Sequence, residues 1–86
     1  MQLDAIDRGD EGYLPRLLLA QASALRGDVR LANQWFSKAV AHGYLHAAEA
    51  ERLPALAALR STPEFQARLR WMRMRAAHLR ARVPAD

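Results

Sequence analysis

The fold is decided by residues 13–43, which read YLPRLLLAQASALRGDVRLANQWFSKAVAHG. Apolar residues recur in this stretch at steps of three and four, which is the spacing of a helix with one buried face. Gly27 and Asp28 interrupt the pattern, because glycine favours a helix end and aspartate a helix N-cap. The stretch therefore predicts two helices, over 13–26 and 29–42, joined by a tight turn.

A second feature is self-similarity along the chain. Pairs of identical residues recur 34 positions apart at Ala5 and Ala39, Gly9 and Gly43, Leu19 and Leu53, and Leu25 and Leu59. A fixed period of this length is typical of helix–turn–helix repeats, in which each unit covers the apolar face of its neighbour. One complete copy is predicted over 13–43, with partial copies over 1–9 and 45–60.

A long C-terminal helix is predicted after this region. Pro54 breaks the helical tendency of 45–52 and opens a short helix of its own, because proline lacks an N–H donor. Thr62 is a suitable N-cap, and Pro63 suits the first helical position. The helix is expected to run from Pro63 to about Arg82 and to dock through one apolar stripe. That stripe consists of Phe65, Leu69, Met72, Ala76, Leu79 and Val83.

The composition indicates one small all-α domain. The 86 residues are 51% hydrophobic and rich in alanine, with only three valines and one isoleucine, which argues against a sheet. There is no cysteine, no apolar run long enough to span a membrane, and no signal peptide, since residues 1–11 are acidic. These features predict a cytoplasmic protein.

The positive charge is concentrated near the C-terminus. Residues 65–86 hold six arginines and one aspartate, whereas residues 1–64 hold seven basic and eight acidic side chains. The arginines can be interpreted as a solvated helix face, as a contact for an acidic protein surface, or as a less favoured nucleic acid site. Acidic residues lie at positions 4–11, so head-to-tail association of two copies is one further hypothesis.

Residues 13–43 resemble a tetratricopeptide repeat. The matching positions are Leu19, Ala20, Gly27, Ala32, Phe36 and Ala39. Small residues there let two antiparallel helices approach closely, and the aromatic ring fills the space beside them. Arg16, Ser23 and Tyr44 depart from the family pattern, which has tryptophan, tyrosine and proline at these positions.

The resemblance implies a fragment of an α-solenoid built from antiparallel helix pairs. In this interpretation residues 1–9 are the end of a preceding repeat, and 63–83 form a capping helix. The segment from Leu53 to Gln66 resembles the terminal unit that follows such repeats at the C-terminal end of bacterial multidomain proteins. The chain is therefore expected to be the tail of a larger cytoplasmic bacterial protein, or else to pair its N-terminal edge with another copy.

The resemblance also implies a non-catalytic role in protein–protein interaction. The first helices of such repeats line a groove that holds a partner peptide or helix, here through Leu14, Leu17, Gln21, Glu51 and Arg52. Some relatives clamp a carboxylate with lysines and asparagines where this chain has Leu17 and Gln21. A hydrophobic or helical ligand is therefore expected. The alternative is that Leu14 and Leu17 cover an adjacent repeat.

A further stripe on the C-terminal helix has two interpretations. Trp71, Met74 and His78, with Arg75 beside them, would suit an oligomer or partner contact if exposed. Burial of the long helix on two sides is the alternative. A purely structural cap or oligomerisation element is the remaining hypothesis for the chain.

The residues predict no enzyme active site, cofactor or metal. His42 and His46 are four residues apart and Glu49 follows, but Gly43 ends the helix between the histidines. The serines lack a matching set of histidine and aspartate, and there is no glycine-rich phosphate loop.

Overall fold

Four α-helices and one 3-10 helix form the described part of the chain, which in this computed structural model is residues 12–82, with side chains as far as 80. The helices are α1 (Leu14–Leu25), α2 (Val29–Ala41), α3 (Ala47–Arg52), the 3-10 helix (Pro54–Leu59) and α4 (Pro63–Arg82). Since residues 12–82 contain no strand, the all-α prediction is confirmed for them. The predicted partial copy over 1–9 lies outside this range.

Side-chain caps start the two helices that the sequence marked most clearly. The Asp28 carboxylate accepts a hydrogen bond from the Leu31 N–H at 3.2 Å, at the start of α2. The Thr62 hydroxyl accepts from the Phe65 N–H at 3.3 Å, at the start of α4. Both predicted N-caps are confirmed, and each satisfies a backbone donor that the helix leaves without a partner.

Glycine ends α1 and α2 in the same way. Gly27 and Gly43 have positive φ angles of 85° and 106°, a conformation that glycine tolerates because it has no Cβ. The next residue then donates its N–H back into the helix, from Asp28 to the Ser23 carbonyl at 2.9 Å and from Tyr44 to the Ala39 carbonyl at 3.1 Å. These are Schellman ends, which reverse the chain within three residues.

Pro54 divides the segment after α2, as predicted. Leu53 is extended, with φ −65° and ψ 117°, which is the conformation that proline imposes on the residue before it. The chain re-enters a helical path at Pro54, and the 3-10 helix packs against α1, α2 and α3. Leu56 and Leu59 are its buried residues.

Small residues let α1 and α2 pack closely. Ala20 of α1 and Ala32 and Ala39 of α2 have no exposed surface, and Phe36 lies beside them, also buried. These two helices make the most extensive packing in the described chain. The predicted core at these four positions is confirmed.

Aromatic rings connect the start of α1 to α4 through the core. Tyr13 and Tyr44 have ring centroids 5.0 Å apart, Tyr44 and Phe36 6.1 Å, and Phe36 and Phe65 4.8 Å. The Tyr44 hydroxyl donates to Glu49 Oε1 at 2.8 Å. Burial, reinforced by the bond to this carboxylate, raises the pKa of Tyr44 above its ordinary value.

The apolar stripe of α4 is buried over only part of its length. Phe65, Leu69 and Met72 have no exposed surface, but Ala76 is half-buried and Leu79 is exposed. The expectation of a continuous docked stripe was therefore wrong beyond Met72. The reason is length: α4 is about 30 Å long, whereas α2 and α3 are about 20 Å and about 9 Å long. Within residues 12–82, no helix is both long and apolar enough to cross a membrane.

Candidate functional site

Three leucines make one side of α1 apolar and exposed. Leu14, Leu18 and Leu25 are 55%, 56% and 73% exposed. Their spacing of four and seven residues places them on one face of the helix, and the half-buried Gln21 lies between them. We call Leu14, Leu18, Gln21 and Leu25 the α1 face.

The α1 face overlaps only in part with the groove predicted from the sequence. Leu14 and Gln21 belong to it, but Leu17 is 5% exposed and lies in the hydrophobic core. Leu17 therefore offers little surface to a partner, because its side chain packs inward. Leu18 and Leu25 were not predicted as contacts. Their spacing from Leu14 is the signal that could have identified them.

The predicted contacts on α3 lie near α4. Glu51 and Arg52 are exposed, and Glu51 forms an ion pair with Arg73 of α4. Arg52 lines a groove of about 560 Å³ between α3 and α4. The 3-10 helix contacts both α1 and α3, whereas α1 and α3 make little direct contact. The five predicted groove residues therefore do not form one continuous cluster.

The second predicted stripe is exposed on α4. Trp71 and Met74 are 44% and 71% exposed, and Arg75 and His78 are exposed as well. We call these four residues the α4 face. Trp71, Met74 and His78 lie on the side of the helix away from Phe65, Leu69 and Met72, and Arg75 lies at the border between the two sides. Among the residues that the structure describes, α4 is buried on one side, so the alternative of burial on two sides was wrong for them.

A larger groove between α2 and α4 was missed by the sequence analysis. It encloses about 1060 Å³, and we call it the α2–α4 groove. Two of its lining residues are joined by a hydrogen bond, from Asn33 Nδ2 to the Thr62 hydroxyl at 3.2 Å. Its charged lining residues are Arg30, Lys38, Glu64 and Arg68. The signal was a run of polar residues at helical spacing on α2, but that run does not reveal which helix it faces.

His46, one of the two histidines considered for metal binding, makes aromatic contacts in the structure. His46 packs its ring against Tyr44, with centroids 5.7 Å apart, and against Tyr13 at 6.4 Å. Within the described range, no group of three or more histidine, cysteine, aspartate or glutamate side chains is placed to hold a metal ion. His46 is an aromatic neighbour at the edge of the core.

Comparison of this chain with protein-family models, with curated proteins and with solved structures finds no match. The 34-residue spacing also separates two helix ends and two N-caps in the structure. The residues that end α1 and the 3-10 helix, Leu25 and Leu59, are 34 positions apart, as are the N-caps Asp28 and Thr62.

Proposed function

We propose that this chain is a non-catalytic protein–protein interaction module of the tetratricopeptide repeat type. In this proposal α1 and α2 form one antiparallel repeat. The helix interrupted at Pro54 and the following α4 form the next unit, modified into a cap. The N-caps Asp28 and Thr62 are 34 positions apart, which supports this assignment because a repeated unit places equivalent caps one period apart. The close packing of alanines between α1 and α2 supports it independently.

The observation that carries the proposed binding role is the exposed α1 face. Three leucines more than half exposed on one side of a helix are uncommon unless another surface covers them. We propose that the α1 face is covered by an apolar peptide or an amphipathic helix of a partner. The partner would place its own apolar residues against Leu14, Leu18 and Leu25. Gln21 provides an amide for a hydrogen bond, and Glu51 and Arg52 are proposed as more distant polar contacts.

The α4 face is proposed as a second contact, for a partner or for another copy of the chain. Trp71 and Met74 are residue types enriched at protein interfaces, and Arg75 can pair with a carboxylate beside them. Their exposure favours this role over a purely structural cap. The absence of cysteine from the chain fits the proposed location in a reducing cytoplasm.

A peptide-display selection tests the proposed groove. A random peptide library would be selected on the immobilised chain, with removal of peptides that also bind a Leu14→Ser/Leu18→Ser double variant. Recovered peptides are expected to be apolar and to bind the wild-type chain at least about tenfold more tightly than the double variant, measured by isothermal titration calorimetry.

The matched control is the double variant Ala57→Ser/Ala58→Ser, which alters two exposed residues of the 3-10 helix. It is expected to bind the same peptides as tightly as the wild type. Peptides that bind all three proteins equally would contradict the proposed site. Retention on heparin that is abolished by Arg70→Gln/Arg75→Gln would instead support the nucleic acid alternative.

A further inference from the structure

The α2–α4 groove is lined mainly by polar and charged residues and carries a net positive charge, although carbon atoms contribute most of its exposed lining surface. Arg30, Lys38 and Arg68 contribute three cations, and Glu64 contributes one carboxylate. The lining also holds groups that can donate hydrogen bonds, from Asn33, Gln34 and Ser37. Such a combination suits a ligand that carries both negative charges and hydrogen-bond acceptors.

Arg68 has an incompletely paired guanidinium at the edge of the groove. Its Nε atom is buried, and it has no hydrogen-bond acceptor among the described residues. Buried donors in folded proteins are nearly always paired. Arg68 also lines the groove, and the other N–H groups of its guanidinium can donate to a carboxylate or carbonyl oxygen bound there.

The dimensions of the groove favour a peptide. The volume of about 1060 Å³ is far larger than a single inorganic anion needs. The α2 side of the groove extends from Val29 to Lys38, which is about 14 Å along a helix. That length matches about four residues of an extended chain.

Nucleic acid is the less suitable ligand for this groove. Single-stranded nucleic acid binds through aromatic side chains on which its bases stack, together with a basic surface. The residues lining the groove include no aromatic side chain, and Glu64 interrupts the positive charge. Peptide carbonyls and carboxylates match the amides and cations that are present.

We propose that the α2–α4 groove binds an extended acidic peptide segment of a partner protein, whose carboxylates pair with Arg30 and Arg68. This site is separate from the α1 face, so it goes beyond the proposed function and does not depend on it. The acidic segment would lie along α2, with its backbone toward the amides of Asn33 and Gln34.

Fluorescence anisotropy with a fluorescein-labelled hexaglutamate peptide tests the proposal on the full chain. The double variant Arg30→Gln/Arg68→Gln is expected to bind at least about tenfold more weakly than the wild type. The control Arg26→Gln/Arg70→Gln removes the same charge from two exposed arginines outside the groove. It is expected to bind within about twofold of the wild type.

A second groove variant tests whether weaker binding comes from the lost charges or from misfolding of the first variant. Gln34→Glu adds a carboxylate of nearly the same shape at an exposed lining position, and it is also expected to weaken binding. Equal weakening by the groove and control variants, or no binding by the wild type, would overturn the proposal. The proposal would also be overturned if labelled single-stranded DNA bound the wild type more tightly than hexaglutamate does, and if the Arg30→Gln/Arg68→Gln variant bound that DNA with unchanged affinity. A Leu14→Ser/Leu18→Ser variant is expected to bind hexaglutamate normally, which separates this test from that of the α1 face.

Discussion

Arg16 is an unusual core residue, because its guanidinium is charged and yet 1% exposed. Its Nη1 donates to the Gly12 carbonyl at 2.7 Å, whereas Nη2 is buried with no acceptor among the residues described. Burying a charge without a full set of partners destabilises a fold. Its aliphatic stem, in contrast, is apolar and suits a buried position.

We expect Arg16→Met to raise the free energy of unfolding by about 1 kcal/mol, because methionine keeps the stem and removes the incompletely paired charge. Urea unfolding followed by far-ultraviolet circular dichroism measures this. The exposed Arg26→Met is the control, and a change within about 0.5 kcal/mol is expected there. Loss of stability in Arg16→Met would show that the bond to Gly12 outweighs the cost of burial.

Tyr44 makes stability depend on pH in the alkaline range. Its pKa lies above the ordinary value of 10.0, because burial and the bond to Glu49 disfavour the phenolate. Below about pH 10 the phenol is protonated in both states, so its contribution to stability is complete. Above about pH 10 the unfolded chain loses the proton first, and stability falls as the pH rises.

The wild type is therefore expected to be more stable than Tyr44→Phe by about 1 kcal/mol at about pH 8, through the bond to Glu49. That advantage should shrink by about pH 11. Guanidinium unfolding of both proteins across this range measures it. An advantage that stays constant with pH would contradict the assignment of the buried phenol.

At the scale of the elements, local chemistry predicted the helix boundaries well. Asp28 and Thr62 cap the helices they were expected to cap, and Pro54 opens the short helix predicted for it. These outcomes depend on interactions within a few residues, which a sequence contains in full. The burial of α4 was predicted less well, because the point at which its neighbours end depends on tertiary packing.

The Schellman end at Gly43 tests whether local backbone conformation sets the end of α2. Its φ of 106° disfavours any residue with a Cβ, yet nothing lies within 4 Å of where that Cβ would be. Gly43→Ala is therefore expected to lose stability because of the backbone conformation, since the added Cβ would meet no neighbouring atom. We expect a loss of about 1–2 kcal/mol on urea unfolding.

Gly43→Asn is the matched comparison, because asparagine tolerates left-handed backbone better than alanine does. It is expected to lose less stability than Gly43→Ala, although its side chain is larger. If the two variants lost stability in order of side-chain size instead, crowding rather than backbone conformation would limit this position.

At the scale of the whole molecule, the candidate surfaces were only partly predictable. The sequence has three consecutive leucines at 17–19, and each step along a helix turns the side chain by about 100°. Which leucine faces the core depends on where α2 and the 3-10 helix pack, so Leu17 was assigned to the surface although it is buried. The α2–α4 groove is formed by residues more than 20 positions apart, and no local pattern relates them.

The two faces of α4 give the sharpest test of how this helix is used. Met72 has no exposed surface, while Met74, two residues later, is 71% exposed on the opposite side. Met72→Ala should cost about 2–5 kcal/mol, because it leaves a cavity between α4 and its neighbours. Met74→Ala should change the free energy of unfolding by less than about 0.5 kcal/mol, because its side chain is already in water.

Urea unfolding at several protein concentrations measures both values. A large loss for Met74→Ala that grows with protein concentration would show that the α4 face is covered by a second copy whenever the chain is folded. Equal stability of the two variants at all concentrations would contradict the docking of α4 through Met72.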